Sequence, residues 1–578
     1  MRIHMKTKKI FAKSLAALAA IVVFTSCTDL FNAKDIKQNP NNPLPSQVDI
    51  TALMTGSLVG LGTLHEDTDV RIAYMWSGQL LGQSRQHQGF WNYTVAASTF
   101  DWGNYYNTGQ NIRLVQQRAS AVNNKKHLGA AQVMEALLFT KLTSLWGDVP
   151  YSEAFDIVNH PTPKYDGQLA IYNSLIALLN TAVTNLKSGI GTITGDFIYG
   201  GSTAKWAAAA KTLQARLYLH LKDYTNAASA AASGIGSIGG DMLMPHGSAY
   251  QIDINLNNDF FDVDRPGDCS FDDPAYLPIF MTTDISTGVR TEDVAQRNAK
   301  TDETGIYYLF FTYGYETSGR DPNTADGMFL ANSPQPWLTF YENQLILAEA
   351  TARLAAPGAA NQAAIDALNS VRQELVNGTI NGQTTGYPLI NSSVAGVGVS
   401  GKLIASTGSS AVTGHKTKFK SEFVVGSQMV DSLGNSIGTV SAITNDSTLT
   451  LSSNAAVDVP KRSFQRNGLI YDDYVAADFN QGGIANPGTT FADGRTALLT
   501  EIAAEKFITL ISQYESFSEL RRLQVTPAPV VSLGITINNG SKFPTRFIYP
   551  QNEINTNPNV PMVSGSVPNQ FAPLPVFQ

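Results

Sequence analysis

Aromatic residues crowd one polar stretch of this 578-residue chain. Between Ser84 and Tyr106 (SRQHQGFWNYTVAASTFDWGNYY) stand Phe90, Trp91, Tyr93, Trp102, Tyr105 and Tyr106, interleaved with Arg85, His87 and Asn92. Flat rings beside amides and a guanidinium suit a polar ligand with apolar faces, such as a sugar ring or an extended peptide. Arg85, His87, Phe90, Trp91 and Tyr93 are therefore expected to contact ligand, whereas Trp102, Tyr105 and Tyr106 lead into a helix and read as core. A second aromatic and polar loop, Tyr307 to Arg320 with Tyr276 upstream, adds Tyr276, Tyr315 and Arg320 to the expected contacts.

Motifs that could carry catalysis are weaker. Gly434-Asn435-Ser436-Ile437-Gly438 fits the G-x-S-x-G nucleophile pattern, but a strand-like run follows where a helix is needed, so a hairpin turn is the expectation. Gly396-Val397-Gly398-Val399-Ser400-Gly401-Lys402 approaches a phosphate-binding loop, yet Leu403 stands where a Mg²⁺-binding hydroxyl belongs. Gly234 to Gly239 repeats a glycine pattern just after an alanine-rich helix, where glycine serves as a helix stop. Asp253, Asn255 and Asn257 offer oxygens at alternating positions, as a calcium loop does, with Asp264 as a distant twelfth ligand. Asn258 replaces the usual glycine there, so a plain polar loop is the simpler reading and calcium the alternative. His65-Glu66 lacks the second imidazole of a zinc protease. Carboxylate pairs such as Asp148 and Glu153 are plentiful in a chain with 47 acids and count as solvated or capping groups.

The elements that would position these residues are mainly helical. Residues 128–145 and 203–221 each place leucines and other apolar residues on one stripe, and further helices are expected at 168–187, 223–233, 337–355, 361–376 and 495–523. Short, alanine-rich helices joined by brief turns should stack as antiparallel pairs in the manner of tetratricopeptide repeats. Long loop-rich stretches separate them at 84–101, 236–335 and 524–578. Residues 394–456 differ: short β-type runs alternate with turn formers, as expected of a small β module inserted in an exposed loop.

Composition bounds the function. Charged residues make up 15% of the chain and the net charge is −7, which argues against a basic nucleic-acid binder and against a disordered polyelectrolyte. Arg2, Lys6, Lys8, Lys9 and Lys13 precede an apolar run, Ser14 to Ser26, in the layout of a signal peptide. Without residues 1–26, 35 basic residues face 47 acidic ones, a net of −12. Cys27 and Cys269 are the two cysteines, too few for a disulfide framework. Cys27 sits where cleavage would expose it, and Phe24-Thr25-Ser26-Cys27 resembles the lipobox of bacterial lipoproteins, which makes Cys27 the expected lipid attachment. Residues 27–49 then read as an Asn- and Pro-rich tether.

Five ordered stretches resemble the SusD/RagB family, and its SusD-like lipoprotein branch in particular. They are Trp146-Gly147-Asp148-Val149-Pro150-Tyr151, Pro163-Lys164-Tyr165-Asp166, Gly195-Asp196-Phe197-Ile198-Tyr199 with Lys205-Trp206, Leu347-Ala348-Glu349-Ala350, and Arg546 to Pro561. The resemblance implies a helical body with tetratricopeptide-like pairs, tethered to the outer face of the outer membrane. It also implies a lid over a SusC-like TonB-dependent transporter that captures glycans, or in some relatives peptides, for import. The quoted blocks are expected to be scaffold: Asp148 and Pro150 end a helix, and Glu349 and Arg546 satisfy buried polar groups.

The expected organisation is a signal peptide at 1–26, a lipid-anchored tether at 27–49, a helical body at 50–393 and 457–578, and the β module at 394–456. The expected function is non-catalytic capture of glycan or peptide at the cell surface, without a cofactor and without nucleic acid. The alternatives are a surface glycoside hydrolase or peptidase, and an adhesion or scaffold protein acting through the β module.

Overall fold

The computed structural model describes residues 48–576 apart from 282, 284–297, 299, 302–308, 313–319, 326, 377, 378, 381, 382, 385–396, 400, 424, 434, 468–471, 489, 536, 537, 539–541 and 575. The expected signal peptide, residues 27–47 of the expected tether with Cys27, and Tyr315 thus lie outside the described residues.

Local signals in the chain account for the helix starts. Asp49 caps α1 (Ile50–Leu64), Asp67 caps α2 (Thr68–Trp76), Asn124 caps α5 (Lys125–Trp146), Ser202 caps α7 (Thr203–His220) and Asp223 caps α8 (Tyr224–Ala231), each side chain accepting from a free first-turn amide. Between them run α3 (Arg85–Trp91), α4 (Gly103–Ala121) and α6 (Gln168–Lys187). Later come α9 (Phe340–Leu354), α10 (Gln362–Val376), α11 (Gly494–Thr509), α12 (Glu515–Gln524) and α13 (Gln551–Thr556). Sequential neighbours α4 and α5, α5 and α6, α7 and α8, and α9 and α10 pack on one another, so the body is built of stacked helix pairs around a main apolar core, with a smaller alanine-rich cluster where α7, α8 and α9 meet.

Two expected boundaries move. The helix expected over 495–523 is two, because Leu510 to Tyr514 break it, with Ser512 in the left-handed region at φ 60°. Gln335–Leu338 forms a strand ahead of α9, so the helix expected from 337 begins at Phe340. The loop-rich stretch 84–101 also contains a helix, α3.

The quoted blocks bind each other. Gly147 ends α5 at φ 84°, and a Cβ there would meet Leu574 Cδ2 at 2.5 Å, so glycine is required twice over. Asp148 Oδ1 then accepts the Gln168 amide at 2.9 Å at the start of α6, and the indole of Trp146 donates to the Ile548 carbonyl at 2.8 Å. Arg546 closes this circuit by donating to the Trp146 carbonyl. Farther along, Asp196 accepts the Trp206 indole at 2.7 Å and the amides of Ile198, Tyr199 and Gly201.

The β region is an eight-stranded antiparallel sheet running from Val397–Gly398 to Phe464–Asn467. It continues past the expected limit at 456, because Val459–Arg462 pairs with Lys402–Ala405 and Phe464–Asn467 with Gln428–Asp431. Leu403, Val412, Met429, Ile437, Leu449, Leu451 and Phe464 form a core separate from that of the helices. Ser436 opens the strand Ser436–Asn445, which returns on Gln428–Asp431 as a hairpin; Gly434 lies outside the described residues. Lys402 lies within a strand, so no helix follows the glycine-rich run as a phosphate loop would need.

Candidate functional site

A short antiparallel ladder brings most of the expected ligand residues together. Leu81–Gly82 (β1) pairs with Cys269–Ser270 (β2), with Leu81 opposite Ser270, and so sets α3 beside the segment 268–276. Asp268 is the hub: Arg85 donates to its Oδ1 at 2.8 Å, Ser84 Oγ to the same oxygen at 2.8 Å, and His87 Nδ1 pairs with Oδ2 at 3.0 Å. Burial lowers the His87 pKa, against the pull of Asp268, so the ring serves as a neutral donor. Four residues on, Asp272 accepts the Arg320 amide at 3.0 Å, and Asp273 lies 3.4 Å from its guanidinium. Tyr276 packs against Phe280 and Phe507 and donates its hydroxyl to the Leu533 carbonyl.

That gathering corrects the expectation for the rings. Phe90, Trp91 and Tyr93 belong to the main core at 8%, 5% and 2% exposure, and His87, Tyr276 and Arg320 are buried as well. Only Arg85 among the described members of the set keeps an open side chain, at 61%. The reason is local: α3 turns His87, Phe90 and Trp91, at spacings i, i+3 and i+4, to one face that meets the body. Tyr93 stands edge-on to Trp76 at 6.0 Å and accepts the Asn538 amide at 3.0 Å, and burial pushes its pKa to about 12.

The calcium alternative is also corrected. Asn255 Oδ1 accepts the amides of Asn257 and Asn258 and its Nδ2 donates to the Ser333 carbonyl, while Asn257 faces Gln335. Asp253 Oδ1 accepts the Ala249 amide at 3.0 Å, so the oxygens close a loop instead of converging on a cation.

One buried array mimics a catalytic relay. Ser144 Oγ, Tyr172 OH, His220 and Glu515 follow one another at 2.8, 3.0 and 2.6 Å. Every member is sealed in the core, where no substrate reaches, and Arg216 brings its charge alongside through Glu342 and Tyr514. The array ties α5, α6, α7 and α12 together. The neighbouring carboxylates Glu349 and Glu519 are neutralised by Arg522 and Lys506, which leaves this cluster a salt-bridge network.

An open cleft of about 340 Å³ offers what the expected set does not. Its chemistry comes from Asp101, Trp102, Tyr106 and Asn107 at the start of α4, and from Asn552 and Glu553 in α13, with Pro150, Pro163 and Pro550 around them. Trp102 packs against Tyr106, Trp146, Tyr165 and Tyr549, and its buried indole N–H finds no acceptor among the described residues. Tyr106 is held one turn on by donating to the Pro150 carbonyl at 2.8 Å. Glu553 Oε2 accepts the Tyr165 hydroxyl at 2.9 Å, and burial with this carboxylate drives the Tyr165 pKa upward. Asp101 and the amides of Asn107 and Asn552 are exposed. Rings flanked by carboxylates and amides, in a space of this size, can receive one or two sugar rings. Sequence reading placed Trp102 and Tyr106 in the core, and Trp102 lies there at 3% exposure with Tyr106 half-buried against it; it missed Asn552 and Glu553, which no spacing could pair with residues some 450 positions earlier.

A family described as starch-binding and associating with the outer membrane matches residues 40–373. No curated protein matches the chain in sequence. Among solved structures, a SusD/RagB family protein from Bacteroides thetaiotaomicron is 17% identical, with a TM-score of 0.55 over 89% of this chain and 95% of that one. A SusD homolog from Bacteroides fragilis is likewise 17% identical with a TM-score of 0.55, over 92% and 100%. A chitin-binding SusD homolog from Flavobacterium johnsoniae is 14% identical with a TM-score of 0.50, over 90% and 99%.

Proposed function

The chain belongs to the SusD-like family, and from that premise we propose that it is a cell-surface lipoprotein that captures glycans in the cleft beside Trp102 and passes them to a TonB-dependent transporter. The single observation that carries the choice of site is an open cleft in which exposed Asp101, Asn107 and Asn552 stand with half-buried Tyr106 and Glu553 over the edge of an aromatic wall. Stacking and a few hydrogen bonds give modest affinity, which suits a protein that must release its cargo. The chitin-binding relative and the starch-binding family description both support a neutral glycan as the ligand class. No step of turnover is part of this reading.

The test is calorimetry with maltoheptaose and chitohexaose on the soluble form begun after Cys27. Asn107→Ala with Asn552→Ala, and separately Glu553→Gln, should each weaken binding roughly tenfold, about 1.4 kcal/mol, while leaving the melting temperature in place. Unchanged affinity in both variants would remove the cleft from the reading, and cleavage products after long incubation would remove the non-catalytic assignment. Cys27→Ala should abolish palmitate labelling and release the protein from the membrane fraction.

A further inference from the structure

On another face of the body, the start of α5, the end of α6 and the start of α7 enclose a groove of about 570 Å³. Lys126, Lys187 and Lys211 line it, one from each helix, and no acidic residue does. None of the three ammonium groups has a carboxylate within 4 Å among the described residues; Lys211 Nζ donates to Gln214 Oε1 at 2.7 Å. Thr203 brings in the amino-terminal turn of an 18-residue helix, the positive end of its dipole. The floor is apolar, formed by Val183, Leu186 and Ala207. Burial, and then the charge of Lys187, lower the Lys211 pKa. In a chain that carries net negative charge, three lysines lining one groove with no acidic residue in its lining make a locally positive place suited to an anion.

We propose that this groove is a second binding site, for a small ligand carrying a carboxylate, sulfate or phosphate, held by Lys126, Lys187 and Lys211 over the apolar floor. The ligand's apolar face covers Val183 and Leu186 while its oxyanion takes charge-assisted bonds from the lysines, each of which is worth about tenfold in affinity. The site does not depend on the cleft beside Trp102, which lies among different helices.

The experiment titrates the soluble chain with inorganic phosphate, trigalacturonate and the neutral maltotriose at low and high salt. Phosphate and trigalacturonate should bind in a salt-sensitive way, and the double variant Lys187→Gln with Lys211→Gln should lose roughly a hundredfold in affinity for both. The melting temperature of that variant should hold or rise, since a repulsion is removed. Tighter binding of trigalacturonate than of phosphate assigns the site to acidic saccharides; equal binding assigns it to the free oxyanion. As a second readout, ¹³C-methylated Lys211 should titrate at higher pH once phosphate is added. Failure of both anions to bind, or undiminished binding by the double variant, overturns the proposal. Maltotriose binding that survives these substitutions but not those at Asn107 and Asn552 bears on the cleft alone.

Discussion

Replacing Trp91 by alanine should destabilise the fold and leave ligand affinity of the surviving folded protein unchanged. Trp91 is 95% covered, within the main core, and its carbonyl accepts from Asn538 at 3.1 Å. Truncating a buried indole costs about 3–5 kcal/mol, from lost apolar transfer and the cavity left behind. Spread over roughly 500 cooperating residues at about 2.1 cal/mol/K each, the unfolding entropy is about 1 kcal/mol/K, so the melting temperature should fall by about 3–5 °C. Arg85→Ala is the internal control. Its side chain is mostly in water, and buried Asp268 keeps Ser84 and His87 as partners, so losing this half-exposed pair costs at most ~1 kcal/mol and the shift should stay at or below about 1 °C. Differential scanning calorimetry with parallel glycan titration measures both quantities. A Trp91→Ala protein that melts within 1 °C of the parent but no longer holds glycan would refute the reasoning and restore this ring to the binding surface.

Three further outcomes follow from the structure. Glu349 accepts two bonds from Arg522, at 2.8 and 2.7 Å, and one from Lys506, at 2.8 Å. Burial raises its pKa but Arg522, Lys506 and Arg353 outweigh burial and hold it well below the usual range, so the stability it adds is present above pH ~4.5 and lost as pH falls through its folded value. Glu349→Gln should therefore cost about 3–5 kcal/mol at pH 7 and flatten the acid limb of a melting-versus-pH curve. Asp241 behaves in the opposite sense: burial raises its pKa to about 8 while Oδ1 caps the Phe340 amide, so the folded state holds its proton and loses stability as pH rises from ~4 to ~8. Asp241→Asn keeps the acceptor and should raise the melting temperature at pH 7.5 but not at pH 4. Excising residues 397–467 and joining the ends by a short glycine-serine linker should leave the body's melting transition in place, because the sheet has its own core; a body that unfolds after excision would contradict this.

Much of the frame was readable along the chain. Asp49, Asn124, Ser202 and Asp223 announce helix starts by local hydrogen bonding, and the leucine stripes at 128–145 and 203–221 announce the face each helix buries. The turn-spaced β runs announced a module of another kind. Even the burial of His87, Phe90 and Trp91 had a signal, since their spacing is that of one helical face, although aromatic density in a polar loop pointed the other way.

Sequence alone determined the helix-pair architecture and the inserted sheet, because capping, periodicity and turn chemistry act between residues a few positions apart; the scaffold blocks were legible only through the family resemblance, since Trp146 and Arg546 bind each other across 400 positions. Only the tertiary structure decided which rings stay accessible. Trp91 is buried in the main core, with its carbonyl bonded to Asn538, and the cleft exists because Glu553 comes to line it with Trp102. Burial and electrostatic environment depend on distances in space, and for partners separated by some 450 positions no local pattern encodes them.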